Sequence, residues 1–239
     1  MHRGKLYQKS ASKVDRNKEY PLEEAVKLLK ELAYAKFNES VDLAIVLGVD
    51  PRKSEQTVRG TIVLPHGLGK KVTVLVFAIG EKVAEAREAG AEFVGGDELV
   101  EKIEGGWLEF DRAIATPDMM KTVSRLGKIL GSRGLMPSPK KGTVTFELTK
   151  AISDAKAGLV DYKVDKGAVI HCPVGVIQFE EKHLNENILA LMDAVIKARP
   201  ASAKGTYIRK VYVSSTMSPG IKLDRQDLQT RLQETRLQE

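Results

Sequence analysis

The sequence predicts an α/β protein of two domains: a discontinuous strand-and-helix (α+β) domain one over residues 1–67 and 160–224, and an inserted Rossmann-like α/β domain two over 68–159. Three observations carry this. Residues 72–158 alternate short apolar strand-like runs with helix-like segments, the pattern of a parallel sheet covered on both faces. Residues before and after that stretch each offer strands and a helix of a different, half-buried kind. Strands left unpaired at the two flanks are best satisfied by pairing with each other, because an isolated hairpin is marginal in water.

In chain order, PLEEAVKLLKELAYAK (21–36) places Ala25, Leu28, Leu29 and Leu32 on one stripe and predicts an amphipathic helix. SVDLAIVLGVD (40–50) puts Val41, Leu43, Ile45, Leu47 and Val49 on one face of a strand, and TVRGTIVLP (57–65) supplies another. VTVLVFAI (72–79) is a continuous apolar run of the fully buried strand type. A helix at 81–89, a short strand and turn at EFVGG, DELVEKIEGG and a strand at RAIAT (112–116) follow. PDMMKTVSRLGKIL opens with proline in a first helical turn, and FELTKAISDAKAG (146–158) is a helix stopped by Gly158. VDYKVDKGAVIHCPVG predicts a hairpin turning at Asp165-Lys166-Gly167, before a helix over 181–197 and a strand over 206–215. Glycine-bearing segments at 65–71 and 157–159 would form a double hinge between the domains. The tail, 225–239, repeats TRLQE; it predicts at most a short helix without an independent fold, and has no assigned role.

Composition narrows the partner. The 239 residues carry a formal charge of +6, and 42% are hydrophobic but only 5% aromatic. Residues 1–18 hold Arg3, Lys5, Lys9, Lys13, Arg16 and Lys18 against Asp15 alone, whereas 81–111 hold ten acids against Lys82, Arg87 and Lys102. Arg125, Lys128, Arg133, Lys140 and Lys141 crowd a glycine- and proline-bearing segment, 125–142, suited to a polyanion. A membrane partner is not expected, since no apolar run reaches the roughly 20 residues of a membrane span. The basic N-terminus lacks the apolar core of a secretion signal, and the single Cys172 suits a reducing compartment, so a cytoplasmic location is expected.

Catalytic and metal patterns are scarce, and neither cofactor nor metal is expected. His171 and Cys172 are strand neighbours that point to opposite faces, so they cannot act as base and nucleophile together. His2, His66, His171 and His183 lack zinc-site spacing. His66-Gly67-Leu68-Gly69-Lys70 looks like a phosphate loop but precedes a strand instead of joining strand to helix. Besides a non-enzymatic binder of a polyanion, the readings open at this point are a nucleotide-binding α/β enzyme and a general RNA chaperone.

Five motifs in one order, AKFNESV (35–41), LPHGLGK (64–70), FVGG with GWLEFDRAIATPDMM (93–120), LGSRGLMPSPKKGTV (127–144) and AKGTYIRKVYVSSTM (203–217), resemble the bacterial ribosomal protein L-one family over about residues 1–224. The resemblance implies a two-domain stalk protein of the large ribosomal subunit, monomeric off the ribosome. It implies binding to large-subunit ribosomal RNA, help in releasing deacylated tRNA from the exit site, and repression of its own operon's messenger RNA.

Carried over position by position, it implies that Lys36 meets a phosphate, Phe37 stacks on a nucleotide, and Glu39 and Ser40 offer an acceptor and a hydroxyl. Thr216 and Met217 would bond a ribose and pack on sugar or base, with Ser218 beside them; Lys5, His171, Lys204 and Tyr207 are secondary candidates. The chain departs from the family pattern at Ser218, where glycine is usual, at Ser132 and Ser138 in the basic loop, and at Val176, where lysine is frequent.

Overall fold

A computed structural model describes residues 4–238; Arg3 of the basic N-terminal run and the last tail residue lie outside them. In chain order the elements are α1 Lys5–Ala11, α2 Leu22–Leu32, β1 Ser40–Leu47, β2 Arg59–Val63, β3 Val74–Phe77, α3 Glu81–Glu88, β4 Phe93–Gly95, α4 Asp97–Glu104 and β5 Arg112–Ala115. Then follow α5 Met120–Val123, α6 Gly127–Ser132, α7 Leu148–Ala157, β6 Leu159–Lys163, β7 Val169–Val176, α8 Glu181–Lys197, β8 Ile208–Ser215, β9 Ile221–Leu223 and α9 Arg225–Gln238. The chain folds into two compact units, one made of the residues up to Gly69 and from Val160 onward, the other of Lys70–Leu159.

The first unit is built on a four-stranded antiparallel sheet, ordered β7-β1-β8-β9. Val41, Leu43, Ile45 and Leu47 alternate inward from β1 and share one core with Leu22, Ala25, Val26 and Leu29 of α2 and Leu184, Ile188, Leu191 and Val195 of α8. One face is therefore packed and the other open, as antiparallel sheets permit. The hairpin expectation needs correction. Asp165 Oδ1 accepts from Gly167 N and Val169 N, both at 2.8 Å, and makes the turn. Only Val164 and Ile170 bridge across it, however, and β6 leaves to pair with β2 in a separate two-stranded sheet. The residue with positive φ is Ala168, not Gly167.

The second unit centres on the parallel sheet β4-β3-β5. Leu75 and Phe77 of β3 face one core with α4 and the 119–130 segment, while Val74 and Val76 face another with α3 and α7. The continuous apolar run thus buries both of its faces. The segment opening at Pro117 is not one helix: 3₁₀ turns at Pro117–Met119 and Ser124–Leu126 divide it from α5 and α6. The Ser124 hydroxyl takes the Lys121 carbonyl (2.7 Å) and the Ser132 hydroxyl that of Ile129 (3.0 Å), competing with the helical ladder. Met119, Val123, Leu126 and Leu130 still share one buried stripe.

The tail is a helix that joins the first unit's core through Leu228 and Leu232. Asp227 accepts from Leu22 N at 2.8 Å, capping α2, whose own N-cap, Pro21, has no side-chain donor or acceptor to offer.

Candidate nucleic-acid interface

β1 begins where β8 ends: Val41 pairs with Ser215. Just beyond, Thr216 N donates to Ser40 O (3.0 Å) and Ser40 N donates to Thr216 Oγ1 (3.1 Å). The loop leaving α2 and the turn leaving β8 thereby become one surface across a separation of 176 residues. Glu39 lies beneath it, only 1% exposed. Its carboxylate accepts from Ala35 N (3.0 Å), Met217 N (3.0 Å) and the Ser215 hydroxyl (2.5 Å). Burial pushes its pKa up, but hydrogen bonds from Ser215, Met217, Ala35 and Tyr34 outweigh burial and hold the carboxyl below its ordinary range. The Tyr34 hydroxyl donates to Met217 O at 3.2 Å, a further tie across the same gap.

What this scaffold presents outward is Lys36, Phe37 (57% exposed), Thr216 and Met217 (43% exposed), with Ser40 and Ser218 half-buried beside them. A ring and a thioether held in solvent beside an ammonium suit a nucleotide, whose base offers a π-face and whose phosphate offers charge. Neither Phe37 nor Met217 is taken into the core. Ser218 also shapes the turn: its hydroxyl accepts from Ser215 N (2.9 Å) and donates to Pro219 O (3.2 Å), so serine replaces a glycine here without positive φ. His171 is exposed on the open sheet face, opposite Ala44, with the Asp165 carboxylate 3.9 Å away.

Three expected residues sit elsewhere or point elsewhere. Glu39 is turned inward, so its carboxylate positions its neighbours instead of being offered to ribose. Tyr207 is buried, its hydroxyl donating to Val195 O at 3.1 Å and its pKa pushed up to about 12, chiefly by burial. Tyr207 and the exposed Lys204 precede β8, at the far end of the sheet where Leu47 meets Ile208; seven strand steps of roughly 3.3 Å put Ile208 about 23 Å from Ser215. Lys5 is exposed on α1, which is tied to the end of α2 by the Ser10 hydroxyl bonding Leu32 O at 3.4 Å. Tyr34 and Ser215 belong to the site as positioning residues, a role that only the tertiary register reveals.

The fold gives the phosphate-loop-like glycines a packing role. The His66 loop is anchored to α8: Asn187, fully buried, accepts from His66 N (3.1 Å) and donates to Gly67 O (3.0 Å) and Val174 O (2.8 Å). A Cβ on Gly69 would stand 2.7 Å from Val176 Cγ2 and 2.8 Å from Phe179 Cε1, so this glycine serves close packing. In the parallel-sheet unit α3 and α4 begin with Glu81 and with Asp97 and Glu98, acids placed where a nucleotide phosphate would need bare N–H groups. Among the described residues no group of three His, Cys, Asp or Glu side chains could hold a metal ion, and no helix is long and apolar enough to cross a membrane.

The model of the ribosomal protein L1p/L10e family matches residues 29–219, a span that contains both halves of the surface just described. That match covers well over half of the chain. The chain therefore belongs to the ribosomal protein L1p/L10e family, as a ribosomal-RNA-binding constituent of the large ribosomal subunit and not an enzyme.

Proposed function

We propose that Lys36, Phe37, Ser40, Thr216, Met217 and Ser218 form the face that holds ribosomal RNA at the mobile stalk of a bacterial large subunit. The observation that carries this is the hydrogen-bonded union of the two segments through Ser40, Thr216 and Glu39, which leaves an aromatic ring, a thioether and a lysine in solvent side by side. Lys36 neutralises a phosphate, Phe37 and Met217 pack on exposed bases or sugars, and the Thr216 and Ser40 oxygens reach ribose hydroxyls. Selectivity comes from the shape of the folded RNA, because the A-form major groove is closed to side chains.

The same reading extends to two further partners. Arg125, Lys128, Arg133 and Lys140 are exposed on the second unit and offer a basic surface to exit-site tRNA, whose departure the protein assists. A leader segment of its own operon messenger that copies the ribosomal fold would occupy the Met217 face and be repressed. The protein acts as a monomer off the ribosome, in the cytoplasm.

Filter binding with a stalk ribosomal RNA fragment tests the reading. Binding should be selective over unrelated hairpins, and log K should fall against log salt with a slope of about −0.7 to −0.9 per phosphate neutralised. Equal affinity for every hairpin would make the protein a general RNA chaperone instead. Competition between the stalk fragment and the leader messenger tests the repressor role: independent binding of the two would exclude a shared face.

A further inference from the structure

At the end of the sheet remote from Met217, the loop after β1 and the loop before β8 enclose a cleft of about 440 Å³ lined by Lys53, Lys204 and Arg209, with Asp50, Gln56 and Ser202 between them. All three cations are exposed, and none has a carboxylate partner among the described residues. Asp50 is the one acid of the lining, and its Oδ1 accepts from Arg52 N at 3.1 Å. Three positive charges against one negative leave the cleft cationic.

The walls are held together by hydrogen bonds and do not depend on a ligand. Gln56 clasps both loops, accepting from Asp50 N (2.7 Å) and donating to Ser202 O (3.4 Å), and the Ser202 hydroxyl returns a bond to Glu55 O (3.3 Å). Arg199 braces the second loop by donating to Ala203 O (2.9 Å) and Gly205 O (3.2 Å). Gly48 lines the cleft, where a Cβ would lie 2.1 Å from Thr206 O and 3.3 Å from Arg209 Nε, so the missing side chain lets the two loop backbones approach closely. A hydrogen-bonded concave wall with exposed cationic tips suits a phosphodiester backbone, which asks for charge with little shape selection.

We propose that this cleft is a second RNA-binding subsite, in which Lys53, Lys204 and Arg209 neutralise backbone phosphates of the same folded RNA that occupies the Met217 face. The proposal rests on RNA binding at that face. The two subsites lie at opposite ends of β8, a strand of roughly 23 Å, so an RNA must present phosphates at both places to use them together. Base recognition belongs to the Met217 end, and orientation of the RNA belongs to the cleft.

The test compares full-length wild type with Lys53→Gln/Lys204→Gln/Arg209→Gln, with Lys53→Gln alone, and with a control, Lys27→Gln/Lys182→Gln, on the exposed sides of α2 and α8. The stalk RNA fragment is titrated over a range of salt, and thermal melts establish that each variant is folded. The triple variant should bind all RNAs more weakly and lose about one unit of salt slope per phosphate contact removed, with Lys53→Gln losing about one. The control should keep the wild-type slope. Wild-type slope and affinity in both folded cleft variants would overturn the proposal while leaving RNA binding intact. Failure of the wild type to bind would instead remove the reading on which it rests. In a separate arm the RNA-free protein is titrated with inorganic phosphate, followed by amide shifts of Gly48–Gln56. Saturation there, with an RNA slope unaltered in the triple variant, identifies a free-phosphate site and likewise overturns the proposal.

Discussion

The carboxylate of Glu39 accepts a hydrogen bond from the backbone N–H of Met217 at 3.0 Å, across 178 residues of sequence, so a buried anion sets the position of an exposed thioether. Replacement of Glu39 by alanine leaves the donors on Ala35, Met217 and Ser215 without their acceptor, at a cost of about 2–4 kcal/mol. Glu39→Gln, which keeps the size and one acceptor, should lose less. The sign with pH follows from the lowered carboxyl: its contribution is complete above the ordinary value of 4.5 and is lost as pH falls through the lower folded value. Urea unfolding between pH 7 and pH 3 should therefore show a steeper acid loss in wild type than in Glu39→Gln. Parallel curves would remove Glu39 from this role.

Phe37→Ala and Met217→Ala should separate binding from folding. Both side chains are exposed outside the core, so stability should move by no more than about 0.5 kcal/mol. Loss of a base-stacking ring at Phe37 should weaken RNA binding by about 1–3 kcal/mol. Melting curves and gel shifts on the same preparations decide it. Unaltered affinity in both variants would place the RNA elsewhere.

The elements with strong periodicity were legible from residues alone, whereas the internal wiring of the site was not. The alternation of β1 and the span of α8 follow directly from apolar spacing; α2 adds Leu22 and Val26 to its expected stripe and leaves Leu28 only partly buried. Glu39 shows the limit: a glutamate between asparagine and serine in a short polar loop reads as a surface residue, and its burial depends on partners some 176 residues away. Asp227 and Leu228 are similar, since a polar repeat with few leucines gives no periodic signal until α2 and α8 supply the surface it covers. The segment after Pro117 reads as a single helix because its proline suits a first helical turn, but 3₁₀ turns at Pro117–Met119 and Ser124–Leu126 interrupt it while its buried side chains keep helical spacing.

Ser218 closes the turn after β8 with its hydroxyl, between Ser215 N and Pro219 O. Ser218→Gly, the change toward the usual family residue, removes those bonds and frees the unfolded backbone. It should cost about 1 kcal/mol of stability, read from the urea midpoint at an unchanged denaturant slope. A stabilised variant would show that serine is strained here.

Cys172 is 1% exposed, and its thiol is pushed up to about 12, mainly by burial, with the Asp161 and Asp42 charges adding to it. The folded protein should resist a disulfide reagent at pH 8 and react only after unfolding. Because the folded value is raised, the thiol favours the folded state up to the ordinary value of 9.0, and stability should decline as pH rises from there toward 12. Rapid modification of the native protein would contradict this burial.

The α9 helix gives the sharpest stability test, because its contribution divides into parts that can be removed one at a time. Leu228 is 1% exposed in the common core, so Leu228→Ala should cost about 2–4 kcal/mol through lost transfer energy and the cavity left behind. Asp227→Asn retains an oxygen for Leu22 N and should cost little, whereas Asp227→Ala leaves that N–H uncapped and should cost about 1 kcal/mol. The surrounding ion pairs of Arg231 with Glu23 (2.8 Å) and Asp227 (3.0 Å) are partly exposed and should add no more than about 1 kcal/mol, decreasing with salt. Measured by urea unfolding at low and high salt, the leucine effect should be independent of salt and larger than either polar change. If Leu228→Ala instead left the midpoint in place, the helix would be an appendage and α2 would have to hold its own first turn.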